Sequence, residues 1–324
     1  MQTSTQKFPR IVFMGTPDFA VAQLETLYSA GYPIVGVVTV SDKPAGRGKK
    51  ITTSPVKEFA LAHNLHLLQP EKLKSEDFLS ELKSLNADLF VVVAFRMLPE
   101  AVWQMPRLGT FNLHASLLPK YRGAAPINWA IINGEKETGV TTFFLNERID
   151  EGEILFSEKI LINEGEDVGS LHDRLMELGK GVVLKTVQAI AENKIAPTSQ
   201  PKLEDTKAQY APKIFKQDCL ILWTKKGLDI IRLIKGLSPY PAAFAIFSKP
   251  NGEEVSLKIF DAAFEPSANA DIGKIYSDKK KFLKIATPDG YISLLDVQQS
   301  GRKRMPIDEF LRGNQNISEW ELKI

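Results

Sequence analysis

The chain has 324 residues, more than the about 250 to 300 at which a single hydrophobic core stops growing, so two domains are expected. Its 44% hydrophobic and 25% charged residues are typical of globular proteins and exclude a disordered, collagen-like or coiled-coil chain. The formal net charge of +2 gives no global field that would attract nucleic acid, although residues 211–324 carry 18 basic against 14 acidic side chains.

The cysteine content and the apolar stretches indicate the cellular compartment. The single cysteine, Cys219, excludes an intrachain disulfide. No apolar stretch approaches the about 18 residues of a membrane span, and the N-terminal stretch lacks the pattern of a signal peptide. We therefore expect a cytoplasmic protein that does not contact a membrane.

The first half of the chain predicts strands that alternate with helices. Strands are expected at residues 10–15, 33–40, 87–95, 111–116, 138–146 and 153–162. Helices are expected at residues 16–31, 54–64, 75–86 and 168–193, and Ser54 is the expected N-cap of the second. This alternation is typical of a parallel sheet with helices on both faces.

The pattern changes after the last of these helices. Residues 195–213 contain three prolines and no periodicity, which is typical of a linker. The short strands that follow, separated by turn signals such as PNG, SDKK and PDG, predict a small barrel, and an OB-like fold is one candidate. We therefore expect a domain at 1–195, a linker at 196–210 and a second domain at 211–324.

Two nucleotide-binding motifs are excluded by their spacing. GTPDFA, after the first strand, has one glycine where a dinucleotide fingerprint needs three. GRGKK lacks both the first glycine and the final Ser or Thr of a phosphate-binding P-loop. A dehydrogenase and a kinase are therefore not favoured.

Histidine and its neighbours provide the candidate chemistry. His63, His66 and His172 lack the spaced partners of a zinc site, so no metal is expected and we interpret them as surface or capping residues. Asn112 and His114 share one face of a strand, because alternate residues of a strand point the same way. An amide and an imidazole can stabilise an oxyanion and transfer a proton, but a buried pair satisfied by the backbone is an equally good interpretation.

Asp150 favours the catalytic interpretation. It follows the strand at 138–146, and ligands of an open parallel sheet lie at the carboxyl ends of the strands, where His114 also lies. We therefore expect Asp150 to meet His114 and to fix its tautomer. Glu147 and Glu151 are rival carboxylates that we interpret as solvated loop charges.

A basic segment follows the second strand. Residues 40–55 combine Lys43, Arg47, Lys49 and Lys50 with two glycines, which predicts a long loop suited to reaching phosphates. A merely solvated basic loop is the alternative.

The chain resembles the methionyl-tRNA formyltransferases along almost its entire length. The resemblance rests on RIVFMGTPDFA, SDKPAGRGKK with TTSPVK, MPRLGTFNLHASLLPKYRGAAPINWAI, ETGVTTFF and IDEGEI, and later on YAPKI, ILW and IRLIKGLSPYPAAF. It implies a Rossmann-like, mostly parallel α/β domain and a C-terminal OB-like β-barrel domain. It also implies formyl transfer from 10-formyltetrahydrofolate to the amino group of initiator methionyl-tRNA, without a metal or an obligate protein partner.

The resemblance also implies roles for single residues. Asn112, His114 and Asp150 match the catalytic positions, and Ser116, Leu117, Leu118 and Pro119 match a segment that lines the folate site. Arg47, with Lys43, Lys49 and Lys50, matches a basic loop at the tRNA acceptor stem. The chain departs from the family pattern in HASLLP, where HGSLLP is common, and in AFRMLP, which is one residue shorter than the usual loop and lacks its glycine.

The expected reaction is direct attack of the methionyl amine on the formyl carbon. Asn112 and His114 are expected to stabilise the oxyanion, while Asp150 orients His114 and assists removal of the amine proton. Cys219, outside the catalytic half, is not expected to be a nucleophile. A sugar-amine N-formyltransferase and an RNA-binding module with an inactive folate-type domain are the alternatives.

Overall fold

A computed structural model of the chain describes residues 8–45, 50–201, 209–268 and 271–323. The described residues form two compact units. The first comprises those of Met1–Gly123, Gly139–Ile160 and Asp173–Tyr210, and the second those of Ala124–Thr138, Leu161–His172 and Ala211–Ile324. The sequence-based boundaries at 195 and 211 stay a prediction.

The elements before residue 201 confirm the expected alternation of strands and helices. The strands are β1 (Ile11–Gly15), β2 (Ile34–Val38), β3 (Lys43–Ala45), β4 (Lys50–Thr52), β5 (Leu67–Leu68), β6 (Leu89–Val93), β7 (Thr110–His114), β8 (Arg122–Gly123), β9 (Glu137–Phe144) and β10 (Ile154–Leu161). The helices are α1 (Asp18–Ser29), α2 (Pro55–Ala62), α3 (Glu76–Ser84), α4 (Glu100–Trp103), α5 (Pro126–Ile132) and α6 (Val168–Ala191). The side chain of Ser54 accepts a hydrogen bond from the Lys57 backbone N–H at 3.1 Å, which confirms it as the N-cap of α2.

The sheet of the first unit has the strand order β10-β9-β7-β6-β1-β2-β5. The five strands from β7 to β5 pair in parallel, as expected. β9 pairs with β7 in the antiparallel direction, with Phe111 opposite Phe144 and His114 opposite Thr141. The sheet is therefore mostly parallel with a reversed strand beside β7.

Helices cover both faces of this sheet, which explains why β1 and β6 are buried along their whole length. One face carries Val12, Met14 and Val92, which pack with residues of α3 and α4. On the other face, Gly179 of α6 lies close to Leu113 of β7. Since Val92 is paired with Asn112 in a parallel ladder, Asn112 and His114 lie on the face covered by α3 and α4.

The segment expected to be one long basic loop contains a β-hairpin. β3 and β4 are antiparallel, with Lys43 opposite Thr52 and Ala45 opposite Lys50. The expectation of a loop across 40–55 is therefore wrong for Lys43–Ala45 and Lys50–Thr52, because these two short stretches satisfy each other's backbone groups. Arg47 and Lys49 lie outside the described residues.

The second unit contains an antiparallel, barrel-like sheet, which confirms the expected C-terminal barrel domain. The elements from Tyr210 onward are β11 (Tyr210–Ala211), a 3₁₀ helix (Lys216–Cys219), α7 (Gly227–Leu237), β12 (Ala243–Ser248), β13 (Glu254–Pro266), β14 (Ile275–Ser277), β15 (Leu283–Thr287), β16 (Gly290–Gln299), β17 (Met305–Pro306), α8 (Ile307–Arg312), a second 3₁₀ helix (Ile317–Glu319) and β18 (Glu321–Leu322). The strand order of the sheet is β14-β15-β16-β13-β12-β18, and β17 pairs with β16.

An apolar core holds this unit together. Trp223, Phe247, Phe310 and Trp320 are buried in it with the inward residues of the strands. β13 bridges β12 and β16, and its pairing with β16 shifts register around Asp261, a bulge of the kind that bends a strand in a barrel. None of the described helices has the length and apolar character of a bilayer-spanning segment.

Candidate active site

His114 ends β7 and is buried at 6% exposure. Its Nε2 lies 2.8 Å from the backbone carbonyl oxygen of Tyr121. A carbonyl oxygen can only accept, so Nε2 carries the proton and donates it in this bond. In neutral His114 the other nitrogen, Nδ1, therefore carries no proton and can accept one.

Asp150 faces that nitrogen. Its Oδ2 lies 3.8 Å from His114 Nδ1 and accepts a hydrogen bond from the Gly123 backbone N–H at 2.9 Å. The backbone of Asp150 is left-handed, with φ of 55°, a conformation that aspartate adopts more readily than most residues. The structure thus brings together Asp150 and His114, as expected, at a distance too long for a direct hydrogen bond. The expectation that Asp150 fixes the His114 tautomer is wrong, because the hydrogen bond to the Tyr121 carbonyl fixes it.

The reason given from the sequence for this meeting is wrong. It placed His114 and Asp150 at the carboxyl ends of two parallel strands, but β9 is antiparallel to β7. Phe144, at the end of β9, therefore lies beside Phe111, three residues or about 10 Å before His114. The connection after β9 returns toward Gly123 to bring Asp150 to His114.

Asn112 lies on the same face as His114 and is partly buried. It is paired across the ladder with Phe143, whose ring meets the His114 ring edge to face at 6.5 Å between centroids. Within the described residues the Asn112 side chain has no hydrogen-bond partner. Its amide is therefore available to a ligand, unlike the buried pair satisfied by backbone that was the alternative interpretation.

A cavity of about 420 Å³ lies beside the connection that carries Asp150. The cavity is lined by Glu100 and Trp103 of α4 with the adjoining Gln104, by residues 146–148 and Glu151, and by Gln200 and Pro201. Arg122 also lines it, with its side chain 2% exposed and with Nη1 3.1 Å from Glu151 Oε1 but not aligned for a hydrogen bond. The cavity has the size of a small-molecule site and offers one aromatic ring and several hydrogen-bonding groups.

The segment Ser116–Pro119 forms the turn after β7. Ser116 is fully buried and donates from Oγ to the Lys120 carbonyl at 2.6 Å, and Leu118 is also buried. Thr141 Oγ1 donates to the Ser116 carbonyl at 2.7 Å and accepts from the Leu118 backbone N–H at 3.2 Å. The lining of the 420 Å³ cavity does not include these four residues, and their contact with folate stays a prediction.

The remaining candidates lie away from this pair. Lys43 is exposed on β3. His63 caps α2, and His66 is exposed beside Glu81, which confirms the capping and surface interpretation for both. Burial raises the pKa of the Cys219 thiol, followed by the charge of Asp218, so the sulfur stays protonated. No group of three His, Cys, Asp or Glu side chains suited to a metal occurs in the part of the chain that the structure describes.

The sequence did not indicate Tyr121 and Gly123, which fix His114 and Asp150 through backbone atoms. The only signal was the Pro/Gly/Arg stretch directly after the strand. In the AFRMLP segment, the Arg96 guanidinium donates to the carbonyls of Pro70 and Glu71. The AFRMLP segment is therefore tied to the residues that follow β5.

The chain matches two family models. Residues 9–187 match the formyl transferase family, and residues 213–315 match the formyl transferase C-terminal domain. A methionyl-tRNA formyltransferase of Bacteroides fragilis is 52% identical over 97% of this chain and 98% of its own length. One of Flavobacterium johnsoniae is 55% identical over 94% of this chain and 96% of its own length.

Solved structures with lower identity share the fold. HypX from Aquifex aeolicus in complex with tetrahydrofolic acid superposes with a TM-score of 0.61 at 18% identity, over 96% of this chain. This chain spans 48% of HypX. WlaRD, a sugar 3N-formyl transferase in the presence of dTDP and 5-N-formyl-THF, has a TM-score of 0.61 at 20% identity, over 91% of this chain and 99% of its own.

Proposed function

Because the chain belongs to the methionyl-tRNA formyltransferases, we propose that Asn112, His114 and Asp150 carry out its transfer of a formyl group to methionyl-tRNA. The observation that carries this proposal is the convergence of three groups on one face of the sheet. His114 Nδ1 and Asp150 Oδ2 are 3.8 Å apart, and the Asn112 amide lies two residues away on the same strand.

The pair His114 and Asp150 is arranged to accept a proton. With the His114 Nε2 proton held by Tyr121, two hydrogen-bond acceptors face each other, and a donor placed between them would satisfy both. The α-amino group of methionine is such a donor. As its lone pair forms the bond to the formyl carbon, one proton passes to Nδ1, and the Asp150 carboxylate stabilises the resulting imidazolium.

Asn112 is the group best able to stabilise the oxyanion. Neutral His114 gives its only N–H to Tyr121, so it can help the oxyanion only after protonation at Nδ1. The Asn112 amide has no competing partner among the described residues and can donate from the start. The proton on His114 then passes to the leaving nitrogen as the old carbon–nitrogen bond breaks.

The formyl donor that we propose is 10-formyltetrahydrofolate. The 420 Å³ cavity fits a flat heteroaromatic ring with polar edges, because it combines Trp103 with Glu100, Gln104 and Arg122. HypX and WlaRD, which share the fold, are described with tetrahydrofolic acid and with 5-N-formyl-THF. Bound there, the folate would supply an activated formyl carbon.

The acceptor is methionyl-tRNA, and we propose that two basic surfaces contact it. One is the segment that contains Lys43, Arg47, Lys49 and Lys50, whose described residues form the hairpin of β3 and β4, and the other is on the C-terminal barrel. A sugar-amine acceptor, the alternative, needs neither. The cytoplasm, where translation initiates, is the proposed location.

Single-turnover formylation of charged initiator tRNA tests the catalytic assignment. We expect Asn112→Ala, His114→Ala and Asp150→Asn each to slow transfer by about 100-fold or more, in line with the loss of one oxyanion donor or one general base. Donor binding, followed by the fluorescence of Trp103, is expected to change less than about threefold, since none of the three side chains lines the cavity.

The matched control is His66→Ala, which removes an exposed imidazole paired with Glu81 and should leave the rate unchanged. A rate within threefold of the parent for any of the three variants would contradict that residue's assignment. The formyl group of the donor is labelled, and a nucleotide-linked amino sugar serves as the alternative acceptor. We expect the amino sugar to receive no labelled formyl group.

A further inference from the structure

The segment Thr198–Pro201, within the stretch expected to be a linker, lies against the connection that carries Asp150. Thr198 and Ile154 exchange two backbone hydrogen bonds, of 2.8 and 2.9 Å. This bridge extends the start of β10 and places Gln200 next to Asp150 and Gly152. Residues after α6 are thus part of the site's framework.

Gln200 uses its whole amide within the protein. Nε2 donates to the carbonyl oxygens of Asp150 at 3.0 Å and of Gly152 at 2.7 Å. Oε1 accepts from Arg122 Nη2 at 2.8 Å and Nε at 3.2 Å. An amide with two donors and one acceptor matches this set of partners, whereas a carboxylate or a hydroxyl does not.

These bonds connect both supports of the catalytic carboxylate. Asp150 is held through its side chain by the Gly123 backbone, and Gly123 is the neighbour of Arg122. Gln200 binds Arg122 on one side and the Asp150 carbonyl on the other. The Gln200 side chain therefore joins the left-handed backbone at Asp150 to β8, the strand whose Gly123 N–H binds the Asp150 carboxylate.

The rest of the connection has little packing of its own. Ile149, next to Asp150, is 62% exposed, and the Arg148 side chain is 66% exposed. Arg122, in contrast, is 1% exposed, so the partner of Gln200 is a rigid point of the fold. A polar clamp to a buried guanidinium can position a loop that apolar contacts do not hold.

We infer that Gln200 is a positioning residue for formyl transfer, which holds Asp150 at His114 by clamping the Asp150–Gly152 backbone to Arg122. The inference rests on the proposed role of Asp150. Gln200 also lines the 420 Å³ cavity, but its amide is fully engaged by the protein, so we expect it to act more on the rate of the chemical step than on the affinity for either substrate. A displacement of about 1 Å at a reacting group is enough to cost up to about 100-fold in rate.

Two substitutions test the clamp. Gln200→Glu has the same shape and keeps an acceptor for Arg122, but it removes both donors and sets a carboxylate against two carbonyls. Gln200→Ala removes all four bonds. We expect kcat to fall by about 10- to 100-fold in each, while the KM values for methionyl-tRNA and for the formyl donor change less than about threefold.

The matched control is Gln188→Glu, the same change at an exposed glutamine of α6 that bonds Glu192, and it should leave kcat and both KM values unchanged. Melting temperatures are measured for all variants. If Gln200→Ala fails to fold, the isosteric Gln200→Glu decides the result.

A double-mutant cycle with Asp150→Asn separates positioning from other effects. If Gln200 acts through Asp150, Gln200→Ala changes kcat by less than about twofold in the Asp150→Asn background. Three results would overturn the inference. The first is a kcat within twofold of the parent for Gln200→Glu, and the second is a raised KM for the formyl donor with unchanged kcat in either Gln200 variant. The third is full additivity of the two substitutions in the cycle. If Asp150→Asn alone left kcat unchanged, the proposed function of Asp150 would fail instead.

Discussion

Gly152 controls where the connection after β9 can run. A Cβ atom at this position would lie 1.5 Å from the carbonyl oxygen of Phe144 and 3.2 Å from the Phe143 ring. Backbone cannot move aside as a flexible side chain can, so Gly152→Ala must push the connection away from β9. We expect this substitution to cost about 1 to 3 kcal/mol in the free energy of unfolding and to lower kcat by about tenfold or more, measured by thermal melts and steady-state formylation.

The control for this prediction is Gly181→Ala. A Cβ at Gly181, inside α6, meets no heavy atom within 4 Å. Alanine is favoured over glycine in a helix by up to about 1 kcal/mol, so this variant should melt slightly higher and keep its kcat. Equal melting temperatures for Gly152→Ala and the parent would contradict the close approach to Phe144.

At the residue scale, the sequence predicted what depends on strand periodicity. Asn112 and His114 share a face because they are two positions apart, and that holds in any strand. The hydrogen-bond partner of His114 could not be predicted, because it is the backbone carbonyl of Tyr121. This carbonyl points at His114 because Tyr121 itself has a left-handed backbone, with φ of 60°. Such a conformation of a tyrosine is set by the surrounding fold and has no sequence signature.

The base of the β3–β4 hairpin is held by Asp42. Its carboxylate accepts from Lys57 Nζ at 2.5 Å and from Gln69 Nε2 at 2.9 Å, and Gln69 also donates to the Val40 carbonyl at 2.8 Å. The hydrogen bond from Lys57, followed by that from Gln69, lowers the pKa of the Asp42 carboxyl. The hairpin proposed to meet tRNA therefore starts from a fixed point.

We expect Asp42→Asn to raise the KM for methionyl-tRNA several-fold, because the hairpin loses its fixed base, and to leave the KM for the formyl donor unchanged.

The same substitution has an expected effect on the pH dependence of stability. A carboxyl whose pKa is lowered on folding stabilises the protein at pH values above its ordinary pKa, and this stabilisation is lost as the pH falls through the lowered pKa. The difference in melting temperature between parent and variant should thus be constant from about pH 5 to 8 and shrink below about pH 4.

Asp308→Asn, at an exposed ion pair with Arg312 on α8, is the control and should leave both KM values unchanged. A difference in melting temperature that grows toward low pH would contradict the stated effect of Asp42. Equal changes in both KM values would count against a role of the hairpin in binding tRNA.

At the element scale, the sequence predicted the strands but not the direction of β9. A parallel partner for β7 needs a crossover that packs back on the sheet. In the connection between β7 and β9, all of which the structure describes, the only helix is the seven-residue α5. It belongs to the second unit, where Asn128 donates to the Gly236 carbonyl of α7 at 2.7 Å. The pattern of residues in the strands does not indicate that α5 packs in the second unit, so β9 was expected to continue the parallel series.

At the scale of the whole molecule, strand register brings four exposed basic side chains of the C-terminal barrel to one end. β13 and β16 pair with Leu257 opposite Gln299, and β15 and β16 pair with Lys284 opposite Ser293. This register places the β14–β15 turn, with Lys280 and Lys281, at the same end of the sheet as the turn after β16, with Arg302 and Lys303. The net charge of +2 does not indicate that these basic residues lie together, because their position depends on strand register.

This basic end predicts a specific salt dependence of tRNA binding. In the β14–β15 turn, Asp278 Oδ1 accepts from the backbone N–H groups of Lys280 and Lys281 at 2.9 and 2.7 Å, so the turn does not depend on the lysine side chains. We expect the double substitution Lys280→Ala and Lys281→Ala to weaken tRNA binding and to reduce the slope of log K against log salt by about 2, since each phosphate contact contributes about 1.

The opposite end of the barrel provides the control. Lys225 and Lys226 are exposed there, next to Gly227, whose backbone N–H donates to Asp289 just before β16 begins. The double substitution Lys225→Ala and Lys226→Ala removes the same charge and should leave the salt slope within about 0.5 of the parent. Equal loss of slope in both double variants would mean that tRNA responds to the total charge of the barrel and not to one end. A reduced slope confined to the first variant, with an unchanged KM for the formyl donor, would assign phosphate contacts to the β14–β15 turn.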